Sequence, residues 1–399
     1  MTFELNVYHT IAIAVVVLIV GEIIKKHCGI LRKYCIPVPV IGGLLFTVIT
    51  LIGHQSGAFL FKFDMAFKDF FMLLFYAGIG FTASWKLLKK GGPQVITFLI
   101  VSTVCVALQN VLGVGLSKIL GVSPLVGLAT GSIPMTGGHG TSAAFAPVLE
   151  AAGLANANTI SLAAATFGLV AGSIIGGPVG KFLIEHYHLE STADTSGVAD
   201  ISKEELGEDR SRINERSLTV GAYQLLISVS LGCIVSDILS KTGLSFPASV
   251  GGMTAAAIIR NIADNNKKLK LALPDIQIIS NISLLIFLAL SMMTLELWQL
   301  ADLAIPMLVL LIAQTVMMTL IAVFITFRVM GKTYDAAMMA VGHCGFGLGA
   351  VPTAMANMQS IEEKYGMSPN AFFIVPLVGS LFINLVNSFI ITGFLNFVK

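Results

Sequence analysis

Charge is scarce in this chain: only 12% of its 399 residues are Asp, Glu, Lys or Arg. A soluble protein of this length carries about a quarter. Cysteine is nearly as sparse, with five residues, an odd number, mostly in apolar runs or beside basic ones. The first scarcity excludes a water-exposed globule, and the second excludes a disulfide framework. His27, Cys28 and Cys35 lie close together, and they read as part of a reduced inside loop rather than a metal site. Also missing are a HExxH metal motif, a G-x-S-x-G elbow and a pair of aspartates within the apolar runs, so no enzyme is expected. No cofactor and no nucleic-acid partner is expected either.

What the chain has is hydrophobic length, with 55% of residues apolar. Runs of roughly 20 apolar residues, enough to cross a bilayer, recur throughout. The expected fold is an all-α polytopic membrane protein with about ten transmembrane helices. They centre near residues 11–24, 36–52, 67–85, 95–116, 159–184, 218–239, 246–262, 271–295, 303–327 and 371–395. With both termini outside, the inside loops collect 19 of the 24 Lys and Arg residues, from Lys25 to Lys364. Only Lys62, Lys68, Lys118, Lys241 and Lys399 remain outside, as the positive-inside rule requires. The first run has no basic segment before it and is expected to be a retained span.

The one long polar stretch, 185–216, holds nine of the 22 carboxylates and reads as a solvated cytoplasmic linker. It separates residues 1–184 from 217–399. Five spans on each side of an inside linker give the two portions opposite orientations, an inverted-topology repeat. "IPVPVIGG" at 36–43 matches "FPASVGG" at 246–252, and the run from Phe75 to Trp85 matches that from Phe287 to Trp298. Gln109 precedes His139 much as Gln314 precedes His343, and Gly172-Ser173 corresponds to Gly379-Ser380.

Each repeat contains one polar, glycine-rich interruption: "GSIPMTGGHGTSAA" at 131–144 and "GHCGFGLGAVPTA" at 342–354. Unwound backbone survives at membrane depth only against protein or a water-filled cavity. Re-entrant hairpins are therefore expected at about 123–150 and 334–357, entering from opposite faces and meeting near the midplane. Broken helices offer N–H groups to anions and carbonyls to cations. Thr136, Thr141, Ser142 and Thr353 add hydroxyls, and Gly137, Gly138, Gly140, Gly342, Gly345, Gly347 and Gly349 admit a ligand to the backbone. His139, His343 and Cys344 complete the candidate set. Gln109, Asn110, Asn261, Asn281, Gln314, Asn384 and Asn387 are further polar candidates in or near the spans. Sodium is the expected coupling ion, because Glu22, Asp237, Glu296 and Asp335 form no buried carboxylate chain to relay protons. Glycines such as those in "GSIIGG" are read instead as helix-packing contacts.

"GGHGT" at 137–141 and "GHCGFGLGAVPTA" at 342–354 resemble the two signature re-entrant motifs of the bacterial sodium/glutamate symporters. The likeness extends to "ATFGLVAGSIIGGPV", "GKTYDAA" and "ANMQ", and departs at Val351, where the family pattern has threonine before the proline. The resemblance implies sodium-coupled uptake of L-glutamate across the bacterial inner membrane. It also implies a homodimer in which one bundle moves elevator-like against a scaffold. A carrier of another dicarboxylate, or a channel lined by opposed re-entrant loops, are the competing readings.

Overall fold

The computed structural model describes residues 2–34, 36–90, 92–191, 213–240, 247–266, 269–296 and 303–398. Most of the linker (192–212), Cys35, Phe246 and Trp298 lie outside the described residues. The chain before the linker runs α1 (Val7–His27), α2 (Val38–Gln55), α3 (Ala66–Thr82), the short α4 (Trp85–Lys90), α5 (Gly92–Ile119), α6 (Pro124–Ala129), α7 (Gly138–Ala151) and α8 (Ala157–Tyr187). After it come α9 (Glu215–Ser240), α10 (Ala248–Asn265), α11 (Leu273–Met293), α12 (Ala304–Leu320), α13 (Tyr334–Leu348), α14 (Val351–Tyr365), α15 (Pro369–Pro376) and α16 (Ile383–Val398). In both portions, four long helices precede a helix–break–helix unit and a final long helix.

Proline starts many of these helices, because its missing N–H falls where no intrahelical partner exists. Pro37 caps α2 and Pro247 caps α10, and Pro124, Pro352 and Pro369 lie in the first turns of α6, α14 and α15. The matched glycine pairs then set close helix crossings. A Cβ on Gly42 would run into the Val17 carbonyl of α1, and one on Gly251 into the Gly232 carbonyl of α9. Small residues at such crossings let backbones touch where lipid gives helices no hydrophobic reason to associate. Gly172 and Gly176 of α8 serve the same purpose, meeting the carbonyl of Cys344 and the side chain of Asn357.

Two features depart from the expected all-helical, ten-span pattern. Thr2–Leu5 (β1) pairs in parallel with Leu60–Phe63 (β2), tying the start of the chain to the α2–α3 connection. Among the described residues, nine helices are long and apolar enough to cross a membrane, and α10 is not among them. Small and polar residues dominate its first half, and Arg260, Asn261, Asp264 and Asn265 occupy its last turns. Arg260 Nε lies 3.1 Å from an Asp264 carboxylate oxygen, with Arg260 buried and Asp264 partly buried, and the Ser84 hydroxyl also donates to Asp264. Paired charges tolerate burial that single ones do not, so α10 still packs against α3 and α9.

The helices sort into two groups. One comprises α1–α3 and α9–α11, in which α2 packs on α1 and α11 while α10 packs on α9 and α3. The other holds both broken units with α5, α8, α12 and α15–α16.

Candidate functional site

In the first broken unit the chain leaves helix at Ala129, turns continuously over 130–137 and re-enters helix at Gly138. Gly138 has φ +63°, a conformation that side chains with a Cβ rarely adopt. The second unit differs. Its helix α13 runs unbroken through Leu348, the chain is extended at Ala350, and α14 begins at Val351. The expectation of unwound chain through 342–348 and 138–144 is therefore overturned, since Cys344 and Thr141 lie in regular helix. Packing explains why those glycines tolerate helix. A Cβ on Gly345 would meet the Ala354 backbone, one on Gly347 would lie 2.7 Å from Met318 Sδ, and one on Gly342 2.7 Å from Val375 Cγ1.

The two breaks touch. A Cβ added to Gly138 would lie 3.0 Å from the Gly349 carbonyl oxygen. Beside this contact is a cavity of about 840 Å³, within the usual size of small-molecule sites. The first tip lines it with Thr136 through Thr141, and the second with Phe346, Gly349 through Pro352, and Met355. The opposite wall belongs to the other helix group: Phe75, Gly78 and Thr82 of α3, and Gln277, Ser280 and Asn281 of α11. A third side is the π-helical segment 377–382 that joins α15 to α16 and contributes Gly379 and Ser380. Such π segments loosen a helix at functional places. The cavity thus lies on the seam between the two helix groups.

Buried amides hold the tips behind the cavity. Gln109 Nε2 donates to the Gly347 carbonyl (2.7 Å), and the Thr136 hydroxyl donates to Gln109 Oε1 (2.8 Å). One side chain of α5 therefore spans both breaks. Gln314 of α12 donates to the Gln109 carbonyl (2.8 Å). The turn at Ser132 is gripped from both sides: its N–H donates to Asn110 Oδ1 (3.0 Å) and its carbonyl accepts from Asn387 Nδ2 (3.1 Å). Ser132 Oγ, Asn110 Nδ2 and Asn387 Oδ1 remain buried without a partner among the described residues. Buried polar atoms are nearly always satisfied, so these point to a bound water or ion.

His139 lines the cavity with Nε2 3.0 Å from Thr166 Oγ1. The Thr166 hydroxyl gives its one proton to the Leu162 carbonyl (2.9 Å), so it must accept from the histidine. A neutral His139 then carries its proton on Nε2 and leaves Nδ1 as an acceptor. His343 is placed otherwise: it stacks on Phe346 and its Nδ1 meets Thr326 Oγ1 at 2.9 Å, away from the cavity.

Of the sequence-derived candidates, Thr136, Gly137, Gly138, His139, Gly140, Thr141, Gly349, Asn281 and Asn384 line the cavity. Gln109, Asn110, Gln314, Gly347 and Asn387 support the tips from behind. Ser142, Gly342, His343, Cys344, Gly345 and Thr353 are buried in helix packing and do not line it. Asn261 instead ties α10 to the α3–α4 junction, bonding the Trp85 N–H and the Ala83 carbonyl. Glu22 and Asp237 are exposed on α1 and α9. Apart from Asn281, the sequence reading missed the wall from α3 and α11 because those residues carry no motif. Their signal was positional: Gly78 and Ser280 touch at a helix crossing.

Among the described residues no Asp, Glu, Lys or Arg lines the cavity. Its polarity comes from hydroxyls, amides and helix ends. Both α7 and α14 begin at the cavity, so two positive dipole ends converge there. That arrangement favours an anion with more than one acceptor group.

A family model described as sodium/glutamate symporter matches residues 3–367. The sodium/glutamate symporter of Escherichia coli (strain K12) is 39% identical over 398 residues, covering 98% of this chain and 98% of that protein. The one from Haemophilus influenzae is 39% identical over 390 residues, covering 97% and 96%. A solved sodium proton antiporter from Methanocaldococcus jannaschii aligns at 16% identity with a TM-score of 0.42, covering 98% of this chain and 97% of that one.

Proposed function

The chain belongs to the sodium/glutamate symporter family, and on that footing we propose that it takes up L-glutamate together with sodium. The observation that carries this reading is the convergence of two helix N-termini on one cavity without a fixed cation. Glutamate presents two carboxylates and one ammonium. The carboxylates suit the positive N-terminal ends of α7 and α14, and the ammonium suits His139 Nδ1 and nearby hydroxyls. Sodium, the second cargo, suits oxygen ligands. Ser132 Oγ and Asn387 Oδ1 supply two that are buried and unused.

The seam location supports alternating access, in which the broken units with α5, α8, α12 and α15–α16 slide against α1–α3 and α9–α11. The inverted repeat, the cytoplasmic linker at 185–216, outward termini and a homodimer belong to the same proposal. Glutamate enters with net charge −1, which a negative interior opposes by about 2.3 kcal/mol per 100 mV. One sodium only cancels that charge, so a stoichiometry above one makes uptake electrogenic. Each tenfold sodium gradient then contributes about 1.4 kcal/mol per ion.

Reconstituted vesicles test this. An inward sodium gradient should drive labelled L-glutamate uptake, an inside-negative potential should accelerate it, and unlabelled glutamate should elicit counterflow. Absence of sodium dependence would refute the symport reading. Competition by malate stronger than by aspartate would move the assignment to another dicarboxylate, and conduction without counterflow to a channel.

A further inference from the structure

A second cavity of about 730 Å³ shares no lining residue with the first. One wall is a face of α10, where Ala257, Ile258 and Ile262 give way to Asn261, Asn265 and Asn266 at the helix end. The facing wall is Leu385, Val386 and Phe389 of α16. The groove opens to the surface, since Ile258, Ile262 and Phe389 are exposed. From Thr254 to Asn265 it runs along α10 for roughly 16 Å at the helical rise per residue, the scale of a phospholipid acyl chain.

Its polarity is graded along that length. The α16 residues that line it, Leu385, Val386 and Phe389, are all apolar. At the amide end lies α4, anchored by the Trp85 N–H to Asn261 Oδ1 at 2.8 Å. Trp85 and Leu88 line the groove, and Lys86, Lys89 and Lys90 are exposed on the same short helix. Indole, amide and ammonium groups at one end of an apolar slot match the glycerophosphate region of a lipid, and the slot matches its tail. Clustered lysines next to a membrane surface select anionic headgroups.

We propose that this groove holds one acyl chain of an anionic glycerophospholipid from the bilayer, its phosphate against Lys86, Lys89 and Lys90. The lipid fills the seam between α10 and α16, which belong to different helix groups.

The full-length protein is purified in detergent, and its retained phospholipid is extracted and quantified by mass spectrometry. Delipidated protein is then titrated with phosphatidylglycerol or phosphatidylcholine. The expected result is about one retained phosphatidylglycerol per chain, with a roughly tenfold or greater preference over phosphatidylcholine. Val386→Trp, which fills the slot, should abolish retention of both lipids. A K86Q/K89Q/K90Q variant, altered only at exposed positions, should keep lipid binding and lose the preference. Equal binding of the two lipids by the unmodified protein overturns the proposal. So does wild-type retention in Val386→Trp, or an undiminished preference in the triple variant. The readout is lipid and not transport, so it stands apart from the glutamate assignment.

Discussion

Replacing Gly138 by alanine tests the contact between the two breaks most directly. At φ +63° an added methyl incurs the left-handed penalty of about 1–2 kcal/mol. It also lies 3.0 Å from the Gly349 carbonyl oxygen, so the tips must part by a few tenths of an ångström. Gly121, with φ +72° and nothing within 4 Å of an added Cβ, provides the control. Gly121→Ala should incur the strain alone. Both variants should lower the melting temperature, Gly138→Ala at least as much as Gly121→Ala. Only Gly138→Ala should raise the glutamate half-saturation constant tenfold or more, equivalent to about 1.4 kcal/mol of binding. The assay is initial-rate uptake in vesicles over a glutamate series, alongside thermal melting in detergent. If Gly138→Ala matches Gly121→Ala in uptake as well as in melting, the contact does not shape the site.

Gln109→Leu should destabilise the protein by roughly 1–3 kcal/mol, because it leaves the buried Thr136 hydroxyl and Gly347 carbonyl only their longer bond to each other, 3.4 Å; melting of purified protein checks this. Asn387→Leu should raise the sodium half-saturation constant about tenfold at saturating glutamate, and an unchanged sodium dependence would remove Asn387 from the ion site. Gly345→Val should prevent folding instead of merely weakening binding, since its side chain meets the Ala354 backbone; a monodisperse variant on gel filtration would contradict that. His139→Gln, which keeps a donor for Thr166 and an acceptor beyond it, should retain far more uptake than His139→Leu, measured at equal expression.

Most of the helical framework was legible because hydrophobic length and the distribution of lysine and arginine are nearly sufficient to place spans in a bilayer. The first break was legible too, as Pro134 beside Gly137-Gly138 cannot continue a helix cheaply. The second was misplaced by several residues. Glycine has two uses in a membrane helix, unwinding it and allowing another backbone to approach, and a linear sequence does not distinguish them. Gly342, Gly345 and Gly347 serve the approach, and only Gly349 sits at the break. His343 shared a motif with the site yet turned away toward Thr326, because a helix sends neighbouring side chains to different faces. Asn281 aside, the α3 and α11 wall was silent in sequence, being built from ordinary residues that matter only through their neighbours.

The Arg260–Asp264 pair bears on how the chain reaches its bilayer at all. Arg260 and Asp264 lie in the last two turns of α10, and each adds a cost to insertion that reaches about 2.5–3.5 kcal/mol at a helix centre. Ser84, which completes the pair's hydrogen bonding, is made some 180 residues earlier. The first portion of the chain therefore already carries a polar partner for the pair by the time α10 is made.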